Sequence, residues 1–416
     1  MMISPVQRMA LLGVVSVLAN SAAMQGAEYF PPADSAGGWR TLASAADIRK
    51  LAGIDLGRLD QAFAFTQETS QNGGLLVARH GYLVYEKYFG KGSREAHPDM
   101  ASIGKAFTSI SCGIMLQEKR DQIPDGLEQL VFTEKYLPEA FPLSDPMKAN
   151  IKLGQLLSMT SGMHGEGGNP GIVKGEDQKL EPLARPAVMP DQDLSALQVP
   201  LWTQPGGGYS YSSQSAHVAS IVLRRLTGME MQKYIDLKLA QPMGFGEWGY
   251  ALHRNGTTLA HTPGGGSIAL RATDALRFAY LLLQKGRWGK AELVPASYIA
   301  LCAKPSPYNP HSPFSLMFEN NADGHVFGAP KDAFFKSGAG GSAIYVVPSE
   351  DLVVYKMAGN DAQFAPELTG LAEKGPVDHS RENWQPLPHD QFHDGPVGGD
   401  DGVRRLLEMV SAAIIQ

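Results

Sequence analysis

The stretch MASIGKAFTSISCGIMLQEKR, Met100–Arg120, decides how the rest of the chain is read. Its apolar residues Ile103, Phe107, Ile110, Ile114 and Met115 recur at three, four and seven, which predicts a helix with one buried face. Ser102 stands at its mouth. Ser102 and Lys105 are three apart, so hydroxyl and amine share one side of the first turn. Negative charge developing there is favoured by the positive end of the helix dipole, and an amine kept neutral by burial can take the hydroxyl proton. A serine cap followed by a solvated lysine gives the same letters, so the spacing alone leaves both readings open.

Working outward, LLVARHGYLVYEKYFG (Leu75–Gly90) reads as two strands joined at His80-Gly81, with a helix expected before it near Asp55–Ser70. Beyond the central stretch, helical patterns fall at Leu153–Met159, Ser215–Thr227, Met231–Ala240, Asp274–Lys285 and Ala296–Cys302, separated by Gly- and Pro-rich loops. Strand character returns at Phe314–Phe318, Ala333–Ser337, Ala343–Val347 and Leu352–Met357, and a last helix is expected over Val403–Ile415. The fold class implied is α+β: one antiparallel sheet from distant segments, flanked by helices, with an all-α lobe inserted. The α/β lobe takes residues 24–110 and 312–416 and the all-α lobe 111–311, leaving a cleft where ligands commonly bind.

The 416 residues carry 36 basic and 42 acidic side chains, a net charge of −6 with no basic block, and nothing points to nucleic acid. Cys112 and Cys302 are too few for a disulfide scaffold and read as buried thiols. At the start, Arg8, the apolar run Met9–Ala19 and the small residues Ser21, Ala22 and Ala23 read as a signal peptide over residues 1–23. The 11-residue run is well short of the ~20 needed to cross a bilayer. A periplasmic or secreted protein, with no stable membrane anchor after cleavage, is the expectation.

Two further constellations bear on the chemistry. In PGGGYSYSSQSAHVASIVLRRLTG, Pro205–Gly228, a Gly-rich loop delivers Tyr211 to the start of an apolar helix, with Ser212 and Ser213 as caps. A phenol near an amine has a lowered pKa and can shuttle protons; equally, a loop tyrosine can simply pack on the helix it precedes. In AFFKSGAGGSAIYVVPSEDLVVYKMAGN, Ala333–Asn360, a strand ends in Lys336-Ser337-Gly338-Ala339. Small residues there expose main-chain N–H groups that can hold an oxyanion, and Lys336 can bind an acidic substrate group; a hairpin loop with a surface lysine is the plainer alternative.

Together and in this order, the three stretches resemble the serine beta-lactamase and penicillin-binding-protein superfamily. The resemblance is to the class C-like branch, with its esterases, D-aminopeptidases and 6-aminohexanoate-dimer hydrolases. QLLSMTSGM (Gln155–Met163), the Pro-Gly approach to Tyr211 and GGGSIALRATDALRFAYLLLQKGRWGKAEL (Gly264–Leu293) match further runs of that family. The resemblance implies Ser102 as acylated nucleophile, Lys105 as its proton acceptor in concert with Tyr211, and Lys336 and Ser337 as substrate-orienting groups. It implies an oxyanion hole from the backbone N–H groups of Ser102 and Ala339, beside Gly338. One departure is Ser213, where the family often has Asn; its shorter arm weakens the expectation of beta-lactam turnover.

The expectation is therefore a serine hydrolase of small esters, amides or peptides, with no cofactor and no metal. Alternatives are a silent receptor for penicillin or peptidoglycan fragments and an acyltransferase using the same site. His379, His389 and His393, among Asp390 and Asp394, fall in the Pro-, Gly- and Asp-rich region 362–401, which reads as a long surface loop. His164 and Glu166 read as solvated loop residues or as lining of the pocket, and Trp202 and Tyr209 as packing or as an aromatic wall.

Overall fold

Leu56–Glu68 (α1) begins at Asp55, whose side chain accepts from the Arg58 N–H at 3.3 Å, and leads into the hairpin Asn72–Arg79 (β1) and Tyr82–Phe89 (β2). The turn at His80-Gly81 has φ of 53° and 72°, the left-handed pair that a two-residue hairpin needs. The computed structural model describes residues 28–165, 169–180, 192–250, 253–254, 257–364, 371–372 and 400–415. Residues 1–23, read as a signal peptide, together with Glu166 and the histidines His379, His389 and His393, lie outside the described residues.

Gly104–Glu118 (α2) follows, then Ser213–Thr227 (α3) and Ala272–Leu283 (α4). The chain closes with the strands Phe314–Ser315 (β3), Phe318–Asn320 (β4), Phe334–Ser337 (β5), Ala343–Val347 (β6) and Leu352–Gly359 (β7), and the helix Asp400–Ala412 (α5). All neighbours in the seven-stranded sheet are antiparallel, in the order β3-β4-β5-β6-β7-β1-β2. Its two halves, from opposite ends of the sequence, join where Asn72 pairs with Gly359 and Arg79 with Leu352.

Side chains alternate between the two faces. On one face Leu75, Val77, Tyr345, Val347 and Val354 pack with Leu59 and Ala62 of α1 and Val403, Leu406 and Val410 of α5. On the other, Leu76, Ile344, Val346, Val353 and Tyr355 join the larger core that includes α2, α3 and α4. Because both faces are covered, every residue of β7 is buried, which explains its nearly unbroken apolar run. α4 falls within the range read as the helical lobe and packs on β6, β7 and β1.

α2 departs from the expected one-faced helix. Every residue from Gly104 to Met115 is buried, because the helix runs between α3, Met231–Ile235 and α4, with Phe107 stacked on Phe278 at 3.8 Å. Two of its polar positions are matched inside: Thr108 donates to the Gly264 carbonyl at 2.7 Å, and Ser109 lies 3.0 Å from the Tyr298 hydroxyl. Cys112 and Cys302 are buried free thiols.

Candidate active site

The α-helix starts at Gly104, two residues later than the hydroxyl-bearing position, and Ser102 sits in a short 3-10 turn, Ala101–Ile103, ahead of it. Ala101 has a φ of 46°, a left-handed conformation that costs a residue with a side chain roughly 1–3 kcal/mol. The surroundings hold it there. Asp99 Oδ1 accepts from the Ala101 N–H at 2.8 Å, and the Ala101 carbonyl accepts from Ser267 N–H at 2.8 Å.

Lys105 is fully buried one turn on. Its Nζ contacts Ser102 Oγ at 2.9 Å, Ser213 Oγ at 2.8 Å and the Gly265 carbonyl at 2.5 Å. The first is the serine–lysine contact that the spacing made possible. Ser213 reaches Lys105 because it is the first residue of α3, whose N-cap Ser212 accepts from the Ser215 N–H at 3.2 Å.

Tyr211 is half-buried at the same point, with its ring edge-on to Phe314 at 6.1 Å. Lys336 Nζ donates to its hydroxyl at 3.1 Å, and the amines of Lys105 and Lys336 lie 4.9 Å and 5.1 Å from its ring centre. Burial pushes the phenol's pKa up, but the two amines and hydrogen bonds with Ser102 and Lys336 outweigh it and leave it below the ordinary tyrosine value. Tyr209 instead packs 5.5 Å from Phe314, and Trp202 packs on the backbone at Gly171 and Gly208. His164 is buried, with Nδ1 2.9 Å from the Gly165 carbonyl.

Lys336, buried on β5, also donates to the Ser337 carbonyl at 2.8 Å. The chain then turns tightly, with Gly338 N–H on the Ser342 carbonyl at 2.8 Å. A Cβ on Gly338 would lie 2.1 Å from the Met100 carbonyl oxygen and 3.2 Å from Ser102 N, so only glycine lets the two backbones touch. Ser102, Tyr211, Ser213, Ser337 and Ala339 each keep partial exposure amid buried neighbours, and Lys105 and Lys336 lie beneath them. All the residues singled out in the three stretches thus converge on one place.

Two participants were not singled out from the sequence. The Gly265 carbonyl holds Lys105; the run Gly264-Gly265-Gly266 was its signal, seen as a family match and not as a ligand of the amine. Asn169 Nδ2 donates to the Tyr211 carbonyl at 3.1 Å, and nothing in its Gly- and Pro-rich surroundings marked it.

A beta-lactamase family profile matches residues 59–369, well over half of the sequence, and the chain belongs to the beta-lactamase family. It is 29% identical over 213 residues to esterase EstB of Burkholderia gladioli, a match covering 46% of this chain and 51% of that protein, about half the length of the curated relative. Among solved structures it resembles EstCE1, described as a hydrolase with promiscuous acyltransferase activity (TM-score 0.57, 18% identity, 73% of this chain and 93% of that one). It also resembles a penicillin-binding protein homolog from Caulobacter crescentus (TM-score 0.57, 15% identity, 86% of this chain and 96% of that one). These last two likenesses are of fold.

Proposed function

We propose that this protein is an exported serine hydrolase that cleaves ester or amide bonds of small substrates through an acyl-enzyme at Ser102. The observation that carries the reading is the 2.9 Å contact between Lys105 Nζ and Ser102 Oγ. Two directions around Nζ are taken by the Gly265 carbonyl and the Ser213 hydroxyl, so the lone pair of a neutral amine faces Ser102. As Oγ bonds the substrate carbonyl carbon, its proton passes to Lys105 and the carbonyl electron pair moves onto oxygen. The N–H groups of Ser102 and Ala339 stabilise that oxyanion. When the tetrahedral species collapses, the bond to the leaving group breaks, and the leaving group takes a proton relayed through Tyr211. Water then repeats the sequence on the acyl-enzyme and releases the acid.

Small esters and short amides, D-amino-acid peptides included, are favoured over beta-lactams. Ser213 is engaged with Lys105 and has no amide arm to offer a substrate carbonyl. The relative EstB is named an esterase, which supports the same preference. Export rests on the Met1–Ala23 pattern, and sequencing of the secreted protein should begin at Met24.

The test is a panel of p-nitrophenyl esters, D-alanyl peptides, linear amide oligomers and nitrocefin, run on wild type and Ser102→Ala. Turnover should vanish in a folded Ser102→Ala protein, and a covalent serine probe should label the wild type at Ser102 only. Retained turnover overturns the reading, while labelling without deacylation in the wild type identifies a receptor instead. Acyl transfer to an alcohol or amine, favoured by the description of EstCE1, would appear as a second product when alcohol is added.

A further inference from the structure

Gln363 is a fully buried amide that no step of the proposed chemistry uses. Its Nε2 donates both of its hydrogens to backbone carbonyls, one on Asp99 at 2.9 Å and one on Ala339 at 3.0 Å. The first carbonyl lies three residues before Ser102 and the second belongs to the residue after Gly338. The rest of Gln363 is equally constrained. Its Oε1 accepts from Asn360 N–H at 3.1 Å, its own N–H donates to Asn360 Oδ1 at 3.1 Å, and its carbonyl accepts from Asp99 N–H at 3.0 Å. The amide packs against Gly340, where an added Cβ would fall 2.2 Å from Oε1.

We propose that Gln363 is a positioning residue for the oxyanion hole, clamping the segment that leads to Ser102 against the turn that carries Ala339. This rests on the reading of the Ser102 and Ala339 N–H groups as the oxyanion donors. These donors come from two segments far apart in sequence, and their separation has to be fixed for both to reach one oxygen. The amide ties the two segments through one rigid planar group, and each carbonyl would lose that hydrogen bond without it. A displacement of about 1 Å at such a site costs on the order of 10²-fold in rate.

The test compares wild type, Gln363→Met, Gln363→Glu and Ser102→Ala. The probes are p-nitrophenyl butyrate as substrate and phenylboronic acid as inhibitor. The boron of the inhibitor accepts an electron pair from Ser102 Oγ, whose proton passes to Lys105, leaving a tetrahedral boronate anion that occupies the oxyanion position. In Gln363→Met, kcat should fall ~10–10²-fold with KM nearly unchanged, and the boronate inhibition constant should rise by a similar factor. Gln363→Glu keeps the outline but donates a hydrogen only when protonated, so its deficit should be at least that of Gln363→Met at neutral pH and should shrink as pH falls; it carries the test if Gln363→Met does not fold. Wild-type kcat and boronate affinity in the folded variants, or a loss of kcat with boronate affinity unchanged, would overturn the inference. Turnover in Ser102→Ala would instead overturn the hydrolase reading, so the two failures are distinct.

Discussion

Lys336 Nζ lies 3.1 Å from the hydroxyl of Tyr211, closing a path from one buried amine through the phenol towards Ser102. This contact helps hold the phenol below its ordinary pKa. Lys336→Met removes the amine hydrogen-bonded to the phenol and should raise that pKa. Tyr211 relays the proton as a phenol, so activity is lost as pH rises through its pKa, and the alkaline limb of kcat/KM should move to higher pH. At neutral pH the loss should be ~10²-fold, checked by pH-rate profiles alongside ultraviolet titration of tyrosinate.

Ser213 holds Lys105 at 2.8 Å, and a hydrogen bond between neutral groups is worth about 0.5–1.5 kcal/mol. Ser213→Ala should therefore lower kcat/KM for esters by roughly 3–10-fold. Ser213→Asn restores an amide with a longer reach and should raise the rate of nitrocefin acylation above wild type, measured by stopped-flow absorbance.

Gly338→Ala places a methyl group 2.1 Å from the Met100 carbonyl and must push the turn off the Ser102 backbone. Losing one oxyanion donor typically costs ~10²–10³ in rate, so ester turnover should fall that far. Circular dichroism should report a folded protein, since the turn lies beyond the ends of β5 and β6 and outside both hydrophobic cores.

Away from the reacting groups, Asp193 accepts from His217 Nε2 at 3.0 Å and pairs with Arg224, and His217 Nδ1 accepts from the Gly264 N–H at 3.1 Å. Burial works against the charge, but His217 and Arg224 hold the carboxyl at about 2, against 3.8 when unpaired. A depressed carboxyl stabilises fully above its unfolded pKa and loses that contribution as pH falls through the folded one. Asp193→Asn should destabilise the protein by about 3 kcal/mol at neutral pH, with the difference from wild type shrinking below pH 3.8 towards about 2, measured by urea unfolding.

How much was legible depended on where each signal came from. The hairpin at His80-Gly81 was readable because glycine supplies part of the turn, and Ala296–Cys302 and Ala343–Val347 were read with their observed ends. Phe314–Phe318 was read as one strand and is a strand pair turning at Leu316-Met317, with φ of 45° and 70°. Neither residue advertises a turn; the Leu157 carbonyl, accepting from Met317 N–H at 2.7 Å, imposes it. The helix Gln192–Leu197 and the pair Gly171–Val173 with Glu176–Gln178 were not read, because they are short and held from outside. The hairpin is pinned by Ile172 on Tyr209. At the site, the residues on short motifs were visible, while Gly265, Asn169 and Gln363 act through backbone contacts that only tertiary folding creates.

The union of β1 with β7 also sets when this molecule can work. Ser102 is made well before the strand that seats the middle of the sheet, which arrives only near Gly359, so a nascent chain carries that hydroxyl for a long stretch of synthesis without a formed crevice. Such long-range closure is slow. Competence is therefore acquired once, late and as a whole.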